Sequence, residues 1–250
     1  MNQESRQVYA DADALAKAAG LDLLRLANEA IAARDIFTLA LSGGSTPKKL
    51  YSLLATDPAF VDFPWDKTHL FFGDERHVPP TDKESNYLMV SQSLLSNGSV
   101  PAKHLHRVPA EMSDAGAAAA EYETDMRAFF PSDLLTDGFP RFDAILLGMG
   151  PDGHTASLFP GSKGLEENSR WVVANWVEKF KTDRITFTFP VLNAARNILL
   201  LVAGADKTEM LHEVLVDKQG THPVERVRPI DGAKVWMLDQ AAAAKLPTSS

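Results

Sequence analysis

The sequence predicts a layered α/β fold in which a mostly parallel sheet carries helices on both faces. Apolar runs at 36–41, 144–147 and 198–203 have the length and bulk of buried strands. Glycine follows each run within two residues, and segments with helical periodicity alternate with the runs. The chain has 250 residues and 45% hydrophobic content, so we expect one α/β domain over 1–250 with a large core.

The first elements predicted are a short strand at 7–10 and a helix whose apolar residues recur at helical spacing. This apolar stripe consists of Leu15, Ala19, Leu23, Leu26, Ala30 and Ile31. Strand 36–41 then runs into a loop of glycine and serine. Thr46 suits the N-cap and Pro47 suits the first helical position, which predicts a helix from 47 to about 55.

The remaining elements follow from apolar runs, caps and composition. The predicted strands are 68–72, 104–108, 144–147, 171–177, 185–189, 198–203 and 234–238. The predicted helices are one capped by Ser85 and ending near 95, one over 113–129, one from Lys207 to about 216, and a short alanine-rich helix after 238. We expect Ser249 and Ser250 to fray.

Composition excludes several classes of protein and ligand. The net charge of -8 and the pI of about 5.4 disfavour nucleic acid and anionic membranes as partners. No cysteine is present, so a disulfide framework, a thiolate metal site and a cysteine nucleophile are ruled out. The polar N-terminus has no apolar signal core, and no run is long enough to span a membrane. We therefore expect a cytoplasmic protein, either a monomer or a small homo-oligomer.

The loop after strand 36–41 suits an anion such as phosphate. Its residues are Ser42, Gly43, Gly44, Ser45 and Thr46. Small side chains let backbone N–H groups face an oxyanion, and the following helix N-terminus adds partial positive charge. The loop is not a Walker A motif, because no Gly-Lys-Ser/Thr follows it. The structural alternative is an ordinary glycine turn with an N-cap.

Further charged residues follow other predicted strands. Asp74, Glu75 and Arg76 form a loop after strand 68–72, where Arg76 can clamp an anion and Asp74 can orient a hydroxyl or a histidine. The alternative for this loop is a local ion-pair network. Arg184 opens one strand and Lys207 starts a helix, so both are candidate anion ligands. Each of them can also point into water.

His154 is the candidate acid–base residue. It follows strand 144–147, and ligands bind at the carboxyl ends of strands in open α/β sheets. A neutral imidazole takes a proton from water near pH 7, and Asp152 can order its loop or tune it. Backbone N–H groups of 148–153 are candidate donors to an oxyanion. The structural alternative is a histidine that only hydrogen-bonds within the loop.

Three other chemistries fit the sequence poorly. Gly148, Gly150 and Gly153 spell the dinucleotide motif GxGxxG, but Pro151 removes a donor and Pro160 stops any following helix. His104 and His106 alternate as metal ligands do, but no third ligand accompanies them, so we expect no metal. No G-x-S-x-G elbow is present for acyl transfer.

Four segments resemble 6-phosphogluconolactonases, in the same order and at similar spacing. They read LALSGGSTPKKLY, FFGDERHVPPTDKESNY, LLGMGPDGHTASLFPG and RITFTFPVLNAAR, and the third is the most specific. The resemblance covers nearly the whole chain. It implies a Rossmann-like fold shared with glucosamine-6-phosphate deaminases, no cofactor, and hydrolysis of 6-phospho-D-glucono-1,5-lactone in the oxidative pentose phosphate pathway. It also implies that His154 is the general base, and that Ser42 to Thr46 and Arg76 bind the sugar phosphate.

The alternatives are a deaminase-like enzyme, a sugar-phosphate-binding regulator without catalysis, and a nicotinamide enzyme. Deaminases have a segment that resembles GHIAFNEPG at the position where this chain has GHTASLFPG, so Phe159 stands in place of a glutamate. Phenylalanine performs no acid–base chemistry, which favours the lactonase. We expect Phe159 to pack against the loop and shield one side of the pocket. The presence of His154 and Asp152 speaks against the regulator.

Overall fold

The computed structural model describes residues 3–247, and a parallel sheet runs through this part of the chain. The strands are β1 (Gln3–Tyr9), β2 (Phe37–Leu41), β3 (Thr68–Phe72), β4 (Asp74–Arg76), β5 (Leu105–His106), β6 (Leu135–Thr136), β7 (Phe139–Pro140), β8 (Ala144–Leu147), β9 (Val172–Val177), β10 (Thr182–Phe187), β11 (Asn197–Val202) and β12 (Ala233–Asp239). The α-helices are α1 (Ala12–Arg34), α2 (Ser45–Thr56), α3 (Asn86–Ser93), α4 (Ala115–Phe129), α5 (Phe189–Ala194) and α6 (Thr208–His212).

Within residues 3–247 the central sheet has seven strands in the order β1-β12-β11-β8-β2-β3-β5. Every strand pair in this sheet is parallel. The predicted α/β fold with a mostly parallel sheet is therefore confirmed. The carboxyl ends of four neighbouring strands, β11, β8, β2 and β3, lie at one edge, where loops after each of them meet.

A small second sheet corrects one prediction. Asp74 to Arg76 form strand β4 rather than a loop, and β4 pairs antiparallel with β10, which pairs antiparallel with β9. The segments predicted as strands 171–177 and 185–189 are therefore strands of this sheet, with β10 starting three residues earlier than expected. A three-residue strand has no periodicity of its own, so its pairing with β10 determines its conformation.

The start of α2 corrects another prediction. Gly44 is the N-cap, with φ 110°, and the helix begins at Ser45, so Thr46 lies in the first turn instead of capping it. A positive φ of this size suits glycine and disfavours other residues, which explains why the N-cap is Gly44, two residues earlier than the predicted Thr46. Ser85 does cap α3 as predicted, since its side chain accepts a hydrogen bond from the N–H of Leu88.

Other boundaries differ by a few residues. The first strand spans Gln3–Tyr9 and is longer than the predicted 7–10, because it pairs along its whole length with β12. The strand predicted at 104–108 is reduced to β5. After β12, residues 240–245 form turns instead of the predicted short helix. The fraying predicted for Ser249 and Ser250 lies outside the described residues.

The core supports our proposal of a single domain. One cluster of buried apolar side chains includes Leu39 and Ile145 of the central sheet together with Ile185 and Phe187 of the small sheet. The long helix α1 contributes Leu15, Ala19 and Leu23, each fully buried. Within the described residues, no helix is both long and apolar enough to cross a bilayer.

Candidate active site

A cavity of about 320 Å³ opens where the loops after β2, β8 and β11 meet strand β4. Most of the residues singled out from the sequence line it. The lining residues are Ser42 to Pro47, Asp74, Arg76, Gly148 to Pro151, His154 to Ala156, Leu201 to Ala203, Asp206 and Lys207. Two predicted residues, Asp152 and Arg184, do not line this cavity and lie behind residues that do.

The loop from Ser42 to Thr46 forms one wall and presents hydrogen-bond donors. No side chain caps α2, and Pro47 in its first turn has no N–H, so the N–H groups of Ser45 and Thr46 have no capping acceptor. The Tyr51 hydroxyl fixes the entry to the loop, because it accepts from Ser42 N at 3.0 Å and donates to Ser42 O at 2.9 Å. This wall is suited to an anion.

Gly43 is required by a close approach. A Cβ atom at this position would lie 2.1 Å from Asn86 Oδ1, which is shorter than any tolerable contact. The Asn86 amide also donates to Asp74 O at 2.9 Å, so the same side chain holds β4 against the loop. The glycine therefore allows the anion wall and β4 to meet at the cavity.

Strand β4 directs alternate side chains to opposite sides. Asp74 and Arg76 line the cavity, and Asp74 accepts a hydrogen bond of 2.7 Å from Ser157 Oγ. Glu75 points away and its carboxylate accepts from the N–H groups of Asn86 and Tyr87, at 2.7 and 2.8 Å. Burial raises the pKa of Glu75, although these backbone bonds favour its charged form. Glu75 thus anchors the start of α3 beneath the site.

Arg184 lies next to Arg76 on the small sheet. The two residues are directly opposite each other in the β4–β10 register, so their side chains share one face. Arg184 is only 8% exposed, and in the described chain its Nε atom has no hydrogen-bond partner. Burial, and next the Arg76 charge, lower the pKa of Arg184. Two neighbouring cations, of which Arg184 is buried and Arg76 is partly exposed, call for an anion.

The imidazole of His154 is held by its own loop. Its Nδ1 lies 2.5 Å from Asp152 Oδ1, and its ring stacks on Phe159 with centroids 4.0 Å apart. A Cβ on Gly150 would lie 2.0 Å from Nδ1, so only glycine lets the ring lie across the loop. Burial opposes ionisation of Asp152, but the His154 hydrogen bond and the Lys179 charge lower its pKa overall.

The loop around His154 also corrects two expectations. Gly150 N donates to His154 O at 2.9 Å and Gly153 N donates to Gly150 O at 3.0 Å, so neither N–H is available to an oxyanion. Phe159 packs on His154 as expected, but it lines a neighbouring cleft rather than the cavity. Turns follow His154 in place of a helix, so no helix N-terminus is available to a dinucleotide pyrophosphate.

Lys207 closes the far side of the cavity. Its Nζ lies 3.0 Å from Asp206 Oδ2, and both residues line the cavity. The chain turns here through a short 3-10 helix, Ala205–Lys207, directly before α6. His104 and His106 lie directly before and within β5, the end strand next to β3, and neither residue lines the cavity. Among the described residues, no group of three or more acidic and histidine side chains is arranged to hold a metal ion.

The supporting roles of three residues, Glu75, Asn86 and Ser157, were not predicted from the sequence. Asn86 and Ser157 bond Asp74, and Glu75 anchors the start of α3, so none of the three is close in sequence to all of its partners. The one available signal is the segment ESN, because Ser85 was recognisable as a cap and Asn86 follows it. The Ser157 bond to Asp74 crosses 83 positions and leaves no local pattern.

The fold and the cavity define an α/β protein with an anion cradle facing an Asp–His pair. A model of the glucosamine-6-phosphate isomerases/6-phosphogluconolactonase family matches residues 10–236. The chain belongs to this family.

The similar proteins named here carry the lactonase name. A 6-phosphogluconolactonase from Nostoc sp. is 41% identical over 243 residues, covering 96% of this chain and 97% of that protein. A probable chloroplastic 6-phosphogluconolactonase of rice (Oryza sativa subsp. indica) is 40% identical over 232 residues, covering 89% of this chain and 70% of that protein. The solved 6-phosphogluconolactonase from Trypanosoma brucei is 27% identical, with a TM-score of 0.87 over 98% of this chain and 99% of that one.

Proposed function

We propose that this enzyme is a 6-phosphogluconolactonase, which hydrolyses 6-phospho-D-glucono-1,5-lactone to 6-phospho-D-gluconate, and that His154 is its general base. The similar proteins, which are named 6-phosphogluconolactonases, support the lactonase activity. The observation that supports the role of His154 is its geometry: an imidazole fixed by Asp152 lines the same cavity as an uncapped helix start and Arg76. A phosphorylated lactone needs an anion site and a water-activating base at opposite ends of one cavity.

The proposed reaction begins with water at the Nε2 atom of His154. Because the ionised Asp152 accepts a hydrogen bond from Nδ1–H, Nε2 is left as the proton acceptor of the neutral ring. The water oxygen attacks the lactone carbonyl carbon while its proton passes to Nε2. The resulting tetrahedral oxyanion collapses and breaks the bond to the ring oxygen. The imidazolium then returns its proton to that leaving oxygen, which regenerates the neutral base.

The substrate phosphate is placed at the opposite wall. The N–H groups of Ser45 and Thr46, the hydroxyls of this loop and the Arg76 guanidinium are its ligands in this proposal. Arg184 supports Arg76 from the neighbouring strand, since the two cations share one face and an anion relieves their repulsion. Lys207 is placed toward the sugar hydroxyls or the developing oxyanion. Asp74, held by Ser157, is placed to accept from a sugar hydroxyl.

The deaminase-like alternative fits this site less well. Deamination with isomerisation moves protons at two carbons and at the ring oxygen, so it needs more than one acid–base group. The position of the deaminase glutamate is taken by Phe159, whose ring is 7% exposed and stacked on His154. A regulator without catalysis has no use for a carboxylate that orients an imidazole toward the cavity.

The test is acid release from freshly prepared 6-phosphogluconolactone, followed in a pH-stat with the spontaneous hydrolysis subtracted. We expect parent activity to exceed that of His154→Ala by about two to four orders of magnitude in kcat. Circular dichroism of the variant confirms that the fold is intact. Parent-like activity of His154→Ala refutes the proposed base. Absence of activity in the parent refutes the proposed function.

Three broader assignments stay proposals. The oxidative pentose phosphate pathway follows from the proposed substrate. We also propose a cytoplasmic location, while the rice relative is named as chloroplastic. The assembly state is proposed to be a monomer or a small homo-oligomer, which sedimentation velocity tests directly.

A further inference from the structure

The turn between β9 and β10 reaches back to the Asp152–His154 pair through a charged side chain. Lys179 Nζ lies 3.5 Å from Asp152 Oδ2, while the other oxygen, Oδ1, faces His154 Nδ1 at 2.5 Å. A single carboxylate is therefore shared between a lysine and the imidazole. The Lys179 side chain is 55% exposed, and its Nζ also lies 5.6 Å from the centroid of the Phe180 ring.

The next residue of the turn reaches the same imidazole through stacked rings. Phe180 meets Phe159 edge to face, with centroids 5.8 Å apart and planes at 83°, and Phe159 stacks on His154. The Arg184 guanidinium lies 5.2 Å from the centroid of the same Phe180 ring. Phe180 itself is 48% exposed and is not part of the buried core.

We propose that Lys179 and Phe180 are positioning residues: Lys179 offsets the charge of the carboxylate that orients His154, and Phe180 braces the ring on which His154 stacks. The inference rests on the proposed function for its kinetic consequences. The effect of the β9–β10 turn on the protonation of His154 can be measured without substrate. Neither residue lines the cavity, so neither touches the reacting atoms.

The charge of Lys179 changes the proton affinity of His154 in a defined direction. Asp152 stabilises the imidazolium, and Lys179 weakens that effect because it carries the opposite charge. Without Lys179 the carboxylate favours the imidazolium more strongly, so His154 becomes protonated at higher pH. The other charged or titratable groups around His154 are Asp74, Arg76, Asp206 and Lys207 across the cavity, and His222 with Glu213 behind Gly153.

Lys179→Met tests the electrostatic part by NMR titration of the His154 imidazole in the free enzyme. We expect the titration midpoint to rise by about half a pH unit, as for one charge a few Å away in a mostly aqueous setting. Lys179→Arg retains the cation and should restore the parent midpoint. The matched control is Lys181→Met, which removes an identical charge from the same turn, where Lys181 pairs with Glu178 instead of Asp152.

Phe180→Ala tests the stacking part. We expect kcat to fall about two- to tenfold, the range for loss of an edge-to-face aromatic contact, and Phe180→Leu to restore part of it. The matched control is Trp176→Ala on the same hairpin. Trp176 is 49% exposed, as Phe180 is 48% exposed, and its indole N–H bonds Glu178. Trp176→Ala should keep the parent kcat.

The outcomes separate this inference from the proposed function. An unchanged His154 midpoint in Lys179→Met, or equal shifts in Lys179→Met and Lys181→Met, overturns the role of Lys179. Equal losses of kcat in Phe180→Ala and Trp176→Ala overturn the role of Phe180. If the His154 midpoint shifts in Lys179→Met but His154→Ala keeps the parent activity, the positioning role of Lys179 stands and the general base is rejected instead.

Discussion

Arg184→Met should stabilise the unliganded protein while weakening its function. The substitution keeps an apolar stem of similar length but removes a guanidinium that is 8% exposed, whose Nε has no partner and which lies opposite Arg76. A buried polar group without a partner costs about 1–3 kcal/mol. We expect the free energy of unfolding to rise by about this amount, with Asp74 offsetting part of the gain.

Urea unfolding at pH 7 in a buffer without phosphate measures this change. For a chain of this size, each kcal/mol corresponds to about 2–4 °C in Tm, so a parallel thermal scan resolves it. The matched control is Arg127→Met. Arg127 donates twice to buried Glu123, at 3.0 and 2.8 Å, and covers the Trp171 ring. Its removal should therefore lower the free energy of unfolding.

With ligand bound, we expect the parent to be more stable than the Arg184→Met variant, which reverses their order of stability without ligand. Added 6-phosphogluconate should raise the Tm of the parent, because a ligand that binds only the folded state stabilises it by mass action. It should raise the Tm of the variant less, and KM for the phosphorylated lactone should increase in the variant. A loss of stability comparable to that of Arg127→Met, or an unchanged response to the ligand, refutes the idea of an unneutralised arginine pair.

The remaining predictions concern the anion wall, the lactonase assignment and pH. Arg76→Ala should lower kcat/KM about ten- to a hundredfold in the lactone assay, through loss of a charge-assisted contact worth about 1.5–3 kcal/mol; equal activity removes Arg76 from the site. An ammonia assay with glucosamine 6-phosphate should detect no turnover in the parent or in Phe159→Glu; turnover of about 1 per second refutes the lactonase. Burial and then the charges of His104 and His106 lower the pKa of His69 from 6.5 to about 4. As the pH falls, the unfolded chain therefore binds a proton at His69 before the folded chain does. Urea unfolding should show that the free energy of unfolding falls by about 1 kcal/mol between pH 7 and 5, a value that allows for the partial exposure of His69. This loss should be smaller in His69→Phe.

Local sequence determined the elements whose signals are complete within a few residues. Strand β8 spans 144–147 as predicted, because four consecutive apolar residues are bounded by Asp143 and Gly148. Ser85 caps α3 because the capping hydrogen bond spans only three residues. The predicted apolar stripe of α1 includes Leu15 and Leu23, which are fully buried, since helical periodicity fixes which side faces the sheet.

The residue types of the site were also readable from the sequence. Small residues before a helix predict an anion wall, and a histidine after a buried strand predicts a base, because both follow from backbone geometry at strand ends. The order of the four motifs also predicted the family, which the comparisons confirm. The roles assigned to Ser42 to Thr46, His154 and Arg76 stay predictions until the variants are measured.

Only the tertiary structure decided how these groups meet. That Asp74 and Arg76 share one face while Glu75 faces α3 depends on pairing between β4 and β10, which are about a hundred residues apart. The same pairing places Arg184 opposite Arg76, and the β9–β10 turn brings Lys179 to Asp152. Such contacts depend on strand order and register, which arise from packing of the whole chain. No local run of residues encodes these contacts. The residue types of the site could therefore be read from the sequence, whereas the distances between those residues depend on the fold.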